Sequence, residues 1–101
     1  MTLSLSTTRD AGTITVTVTG AVDLSTAAAL DEAVAAAVDD GPPSVVVDLA
    51  AVTFIDSAGI NALLKSRRLA DERGRQFRIT NPTGIVRDVL DLTGVLDHLS
   101  G

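Results

Sequence analysis

The stretch Val45-Val46-Val47-Asp48-Leu49-Ala50-Ala51-Val52-Thr53-Phe54-Ile55-Asp56-Ser57-Ala58-Gly59-Ile60-Asn61-Ala62-Leu63-Leu64 carries the chain from a strand into a helix through a short polar junction. Its opening segment, Ser44 to Leu49, contains a Val-Val-Val run that is apolar on both sides, the pattern of an interior strand with helices on each face. After the second apolar run, Val52 to Ile55, the residue types change at once. Asp56, Ser57 and Gly59 do not require burial, and Ile60, Leu63 and Leu64 then recur at helical spacing. A small hydroxyl, that of Ser57, therefore stands where a buried strand hands over to a helix.

Upstream, Leu3 and Leu5 alternate with Thr2, Ser4 and Ser6, the period of a half-buried edge strand. Arg9-Asp10-Ala11-Gly12 has turn chemistry, and Thr13 to Thr19 alternates threonine with aliphatics, so the two runs predict an antiparallel hairpin. Gly20 ends the second strand. An alanine-rich segment follows in which Leu30, Ala33, Val34, Ala37 and Val38 share one helical face, with Asp23 or Ser25 placed to cap its free amides and Gly41-Pro42-Pro43 to stop it.

Downstream, Ile60, Leu63, Leu64 and Ala70 predict the inner face of a second helix and Asn61, Lys65 and Arg68 its outer face. Arg73-Gly74-Arg75 closes that helix, Gln76 to Thr80 reads as a fourth strand, and Asn81-Pro82-Thr83-Gly84 turns into a short helix bearing Val86, Val89 and Leu90. The predicted order is ββαβαβα in one domain, residues 1–101. This is an α/β fold with a small, mainly parallel four-stranded sheet, an antiparallel first hairpin and helices packed against it. In such sheets the carboxyl ends of parallel strands carry function. Asp23 and Ser57 both fall there.

Composition narrows the chemistry. The chain has 101 residues, 46% hydrophobic, with Phe54 and Phe77 as its aromatics, so aliphatic side chains must build the core. A net charge of -5 opposes a nucleic-acid surface. The absence of cysteine removes disulfides, thiolate metal sites and cysteine nucleophiles, and fits a cytoplasmic protein. No signal peptide or spanning segment is expected. No phosphate-cradling glycine loop, metal cluster or base for a nucleophilic serine is evident, so no enzyme, cofactor or metal is expected. His98, alone in a polar tail, is given no role.

The junction itself admits two readings. Asp56 or Ser57 can accept a hydrogen bond from a free helix amide, and an Asp-Ser pair in this place serves often as a cap alone. Asp23 has the same capping alternative, and Asp48 at the strand end reads as structural. If Ser57 is exposed, a phosphate there would add a charge of about -1.5 to -2 at a helix start that tolerates anions. Such a charge, beside Asp56 and Asp23, would change a partner surface and leave the fold intact. Gly59 would keep the first turn open to an approaching kinase or serve close packing.

Gly20-Ala21-Val22-Asp23 before an alanine-rich helix, then Val47 to Ile60 with Asp56-Ser57-Ala58-Gly59 at its centre, then Leu92-Thr93-Gly94-Val95, resembles the STAS family of anti-sigma factor antagonists. The resemblance spans nearly the whole chain, and the Asp-Ser-x-Gly segment within its apolar flanks is its specific part. It implies that Ser57 is the phosphoacceptor of a partner-switching system. In that scheme the unphosphorylated protein binds an anti-sigma factor serine kinase and frees a sigma factor. Phosphorylation by that kinase, with ATP, ends binding, and a phosphatase restores it. Asp23, Asp56, Ser57, Ala58, Gly59, Ile60 and Asn61 become the partner-binding residues. Ala58 stands where many relatives have a second Ser or Thr, leaving Ser57 the local acceptor. Asn61 occupies a position that is often Gly, and few residues follow Thr93-Gly94 where relatives commonly continue into a fuller helix.

Three function classes follow: a binding module switched at Ser57, an unphosphorylated STAS accessory subunit docked to a transporter or signalling assembly, and, least supported, an enzyme. The sequence leaves the oligomeric state open and names no sigma factor.

Overall fold

The computed structural model describes residues 3–92 and 94. The elements run β1 (Leu3–Asp10), β2 (Thr13–Val22), α1 (Ala27–Asp39), β3 (Ser44–Ile55), α2 (Ser57–Glu72), β4 (Gln76–Thr80) and α3 (Gly84–Leu92). The sheet order is β1-β2-β3-β4, antiparallel between β1 and β2 and parallel thereafter. The predicted ββαβαβα order and mixed sheet are observed. Val95 to Gly101, with His98, and Thr93 lie outside the described residues.

The hairpin forms as its alternation dictates. Ala11 and Gly12 both have positive φ, 49° and 85°, the left-handed pair that lets a two-residue turn follow the strand twist. The threonine-aliphatic period of β2 then sends Ile14, Val16 and Val18 inward, where all three are buried. In register beside them stand Val45 and Val47 of β3, and Phe77 and Ile79 of β4 continue the same face.

That face receives the helices. α1 contributes Leu30, Val34, Ala37 and Val38, α2 contributes Ala62, Leu63 and Ala70, and α3 adds Val86 and Leu90 to one apolar cluster. The crossovers through α1 and α2 advance the sheet in the same direction, and right-handed connections of that kind place both helices on one side. The small residues of α1 let the two helices pack against each other over β2, β3 and β4.

The expectation of helices on both faces is not met among the described residues. The opposite face carries Thr13, Thr15 and Thr17 of β2, Ser44, Val46 and Asp48 of β3, and Gln76, Arg78 and Thr80 of β4. Of these only Val46 is buried. A Val-Val-Val run suits a covered strand, but in register Val46 has Thr15 and Arg78 beside it, and they make the open face polar.

The β3 strand also runs further than Leu49. The register between β2 and β3 shifts between Thr17 and Thr19 and again between Gly20 and Ala21, so the strand continues as an irregular ladder to Ile55. Asp48 sits at the first irregularity and holds it: its Oδ1 accepts from the Ala50 amide at 3.0 Å and from Asn81 Nδ2 at 3.3 Å. The structural reading of Asp48 agrees with this geometry.

In α2 the buried positions are Gly59, Ala62, Leu63, Ser66 and Ala70. Ile60 and Leu64 lie at the margin, half-buried. The inner face is thus rotated towards small residues, and it includes a polar one. Ser66 is accommodated because its Oγ donates to the Ala62 carbonyl at 2.7 Å.

Leu63, fully buried where α2 meets the sheet, is a sensitive reporter of this core. Leu63→Ala is expected to lower unfolding stability by about 2–5 kcal/mol, whereas Leu24→Ala, at an 83% exposed position, should change it by less than about 0.5 kcal/mol. Urea denaturation midpoints of the two variants check both values.

Candidate functional site

The site is built where β2 and β3 end side by side. Val22 and Ile55 are a registered pair, and the next residues, Asp23 and Asp56, leave the sheet from adjacent parallel strands. The Asp56 amide donates to the Val22 carbonyl at 3.2 Å, tying the start of α2 to the end of β2. Neighbouring strands lie roughly 5 Å apart, so the sheet itself brings the two acidic junctions together.

The capping question is settled by geometry. Asp56 is the N-cap of α2: its backbone is extended (φ -117°, ψ -170°) and its Oδ1 accepts from the Gly59 amide at 3.0 Å. Ser57 is therefore the first helical residue, with an exposed side chain that makes no hydrogen bond among the described residues. Its hydroxyl stands at the positive end of the helix macrodipole, where added negative charge is favoured.

Gly59 has a different place from the one an open first turn suggests. It is buried, and a Cβ built on it would lie 2.6 Å from Ile55 Cγ1, 2.7 Å from the Val22 carbonyl oxygen and 2.9 Å from Val22 Cγ1. It points into the seam with β2 and β3, so it shapes a partner face only through the backbone that it allows to approach. Ala58 and Ile60 are half-buried, and Asn61 is exposed.

Asp23 does not cap α1 with its side chain, nor does Ser25. The N-cap is Thr26, which also lacks a side-chain cap bond. The first free amides, those of Thr26 and Ala27, instead donate to the Asp23 backbone carbonyl at 3.1 and 2.8 Å. Thr26, a buried residue that the sequence pattern gave no reason to single out, fixes this loop. Its Oγ1 donates to the Ala21 carbonyl at 2.8 Å and accepts from the Asp23 amide at 2.9 Å. With the helix end satisfied in this way, the Asp23 carboxylate accepts from Ser25 Oγ at 2.6 Å and the Ser25 amide at 2.9 Å. The Ser25 hydroxyl, opposed by desolvation and aided by the Ser25 amide and Thr26, holds the Asp23 carboxyl below its ordinary range.

Two apolar side chains at this end carry no signal in the sequence pattern. Leu24 is 83% exposed beside Asp23, and Phe54 is 38% exposed one residue before the end of β3. A large hydrophobe in a loop next to an acid gives no periodic signal. Phe54 belongs to a strand whose inward alternation is upset by the register shift. Together with Asp23, Asp56, Ser57 and Asn61 they make an acidic, partly apolar end of the sheet.

A family model described as Mlab, STAS domain, matches residues 5–100. An anti-sigma factor antagonist from Mycobacterium paratuberculosis aligns in structure with a TM-score of 0.87 at 30% identity, over 97% of this chain and 83% of that one. The chain belongs to the STAS-domain anti-sigma factor antagonist family. Two further structures share the STAS fold at lower identity. The phosphorylated form of SpoIIAA, a Bacillus cell fate determinant, has a TM-score of 0.70 at 17% identity over 91% of this chain and 85% of that one. A sulfate transporter family protein from Wolinella succinogenes has a TM-score of 0.75 at 18% identity over 88% and 72%. No curated protein sequence matches the chain.

The STAS junction yields two measurable expectations. Gly59→Ala forces the first turn of α2 away from Val22 and Ile55 and should cost at least about 1–3 kcal/mol, by the same denaturation measurement. Because the folded-state pKa of Asp23 is lowered, its contribution is present above the ordinary carboxylate range and is lost as pH falls through the lowered value. Asp23→Asn should therefore flatten the acid limb of the stability-pH curve and leave its neutral plateau nearly level.

Proposed function

We propose that this STAS domain is a cytoplasmic anti-sigma factor antagonist that binds an anti-sigma factor serine kinase when unphosphorylated and releases it when Ser57 is phosphorylated. The observation that carries the reading is the division of labour at the junction. Asp56 accepts the cap hydrogen bond, which leaves the Ser57 hydroxyl exposed and chemically spare.

The switch acts on an interface. A phosphate on Ser57 would bring about -1.5 to -2 charge and three acceptor oxygens to a surface that already holds Asp56 and Asp23. At the helix start that charge is tolerated within the domain. Facing a partner that has closed over Leu24 and Phe54, it must be desolvated or must repel partner acids, and each ~1.4 kcal/mol so lost weakens the complex tenfold. In this scheme the domain is the kinase's substrate and performs no chemistry. ATP is used by the kinase, and a phosphatase resets the protein.

The second reading, an unphosphorylated STAS subunit docked to a transporter or a larger assembly, is favoured by the Wolinella succinogenes structure, which is named for a sulfate transporter family. The two readings separate at Ser57.

With the cognate anti-sigma kinase and ATP, intact mass should show one added phosphate, absent in Ser57→Ala. Ser57→Ala should keep kinase affinity within about threefold, and Ser57→Asp should weaken it at least tenfold, ~1.4 kcal/mol, with the melting temperature nearly unchanged. Phosphate on another residue, or full affinity in Ser57→Asp, would favour the accessory-subunit reading.

A further inference from the structure

Every lysine and arginine except Arg9 falls between Lys65 and Arg87, in a chain of net charge -5. The fold gathers part of this basic segment on one edge. A depression of about 350 Å3 is lined by Ser44, Arg67, Asp71, Arg75, Phe77 and Arg78 among others. A second of about 300 Å3, lined by Leu64, Arg67, Arg68 and Asp71, adjoins it through the shared Arg67 and Asp71. Asp71 is the acid in both linings. It stands 3.8 Å from Arg67. Among the described residues Arg68, Arg75 and Arg78 have no ion-pair partner.

The groove touches Gln76, Phe77 and Arg78 at the start of β4, the strand that ends the sheet. The outer row of backbone N–H and C=O groups of Gln76–Thr80 therefore has no strand partner among the described residues. Such an edge accepts an added strand through its main chain, and flanking side chains then select the sequence. Here the flanking groups are Arg67 and Arg68 from α2 and Arg78 from the open face of the sheet, with the half-buried Leu64 as an apolar seat. The groove lies at the Ser44 end of β3, whereas Ser57 follows the Ile55 end, twelve strand residues away. It is thus separate from the phosphorylation site.

We propose that the β4 edge is a second docking surface, which takes an extended, acidic segment of a partner protein by strand addition. Main-chain bonds to Gln76–Thr80 hold the segment, and its Asp or Glu side chains pair with Arg68 and Arg78, while Arg75 donates to the Val38 carbonyl at 3.4 Å. Charge complementarity decides the partner class: a basic edge repels the same edge of a second copy, which disfavours edge-to-edge pairing, and attracts an acidic strand. This proposal stands whether or not Ser57 is a phosphoacceptor.

The test uses the 15N-labelled full chain and a peptide alternating Glu with Thr and Val. The expected result is saturable amide shifts centred on Gln76–Thr80, weakening as salt is raised. The double variant Arg68→Glu/Arg78→Glu, both at exposed positions, should bind at least tenfold more weakly with an unchanged circular dichroism spectrum, and Ser57→Asp should bind as the wild type does. N-methylating alternate peptide nitrogens along one edge should abolish binding, because it removes the ladder donors and leaves the charge. Four outcomes overturn the proposal: no shifts at β4, equal binding of the N-methylated peptide, undiminished binding by the double variant, or an oligonucleotide of equal charge giving the same shifts and sensitivity.

Discussion

The first turn of α2 can lie against the end of β2 only because Gly59 has no side chain. Any Cβ there would meet the Val22 carbonyl oxygen, Val22 Cγ1 and Ile55 Cγ1 within 3 Å, and the first of these is backbone, held by the registered Val22–Ile55 pair. From that approach the rest of the junction follows. It lets the Asp56 amide reach the Val22 carbonyl, which orients Asp56 so that its carboxylate can bond back to the Gly59 amide. The strand end, the cap and the helix start close on one another through adjacent residues, and Ser57 is the residue left facing outward.

With this closure, a charge placed on Ser57 would leave the helix cap intact. A serine that capped its helix would lose that bond on phosphorylation and change the helix start. In this domain the cap is an aspartate, whose Oδ1 already accepts from the Gly59 amide. The neighbouring acidic loop is equally self-contained: Thr26 and the Asp23 carbonyl satisfy the beginning of α1, and Ser25 satisfies the Asp23 carboxylate. Both loops are thus preorganised, and a partner that docks on them pays little to order them.

Much of this was legible before the structure, and the reasons for the remainder are specific. Strict alternation in β2 and the two-residue turn announced the hairpin, and the spacing of Leu30, Val34, Ala37 and Val38 announced α1. The length of β3 was hidden because Asp48, Ala50 and Ala51 break the apolar pattern where the ladder is irregular, and local pattern does not carry a register shift between strands. The single covered face was hidden because it depends on what lies in register with Val46. Which of Asp56 and Ser57 caps α2 depends on one backbone conformation, beyond the reach of spacing. Leu24 and Phe54 became visible only when their exposure was known.

The sheet topology also keeps the two acidic junctions apart from the arginines of α2 and β4. Acidic side chains at the two junctions follow the carboxyl ends of β2 and β3, while the end of α2 and the start of β4 bring arginines to the opposite end of the sheet. Ion pairs between α1 and α2, Asp31 with Lys65 and Asp39 with Arg73, tie the two helices together and are largely exposed. Exposed pairs contribute little to stability, so the separation is not needed for folding. Its effect lies in the field outside the molecule: charges more than about 8–10 Å apart act nearly independently at physiological salt. A charge added at one end of this domain would therefore leave the potential at the other nearly unaltered.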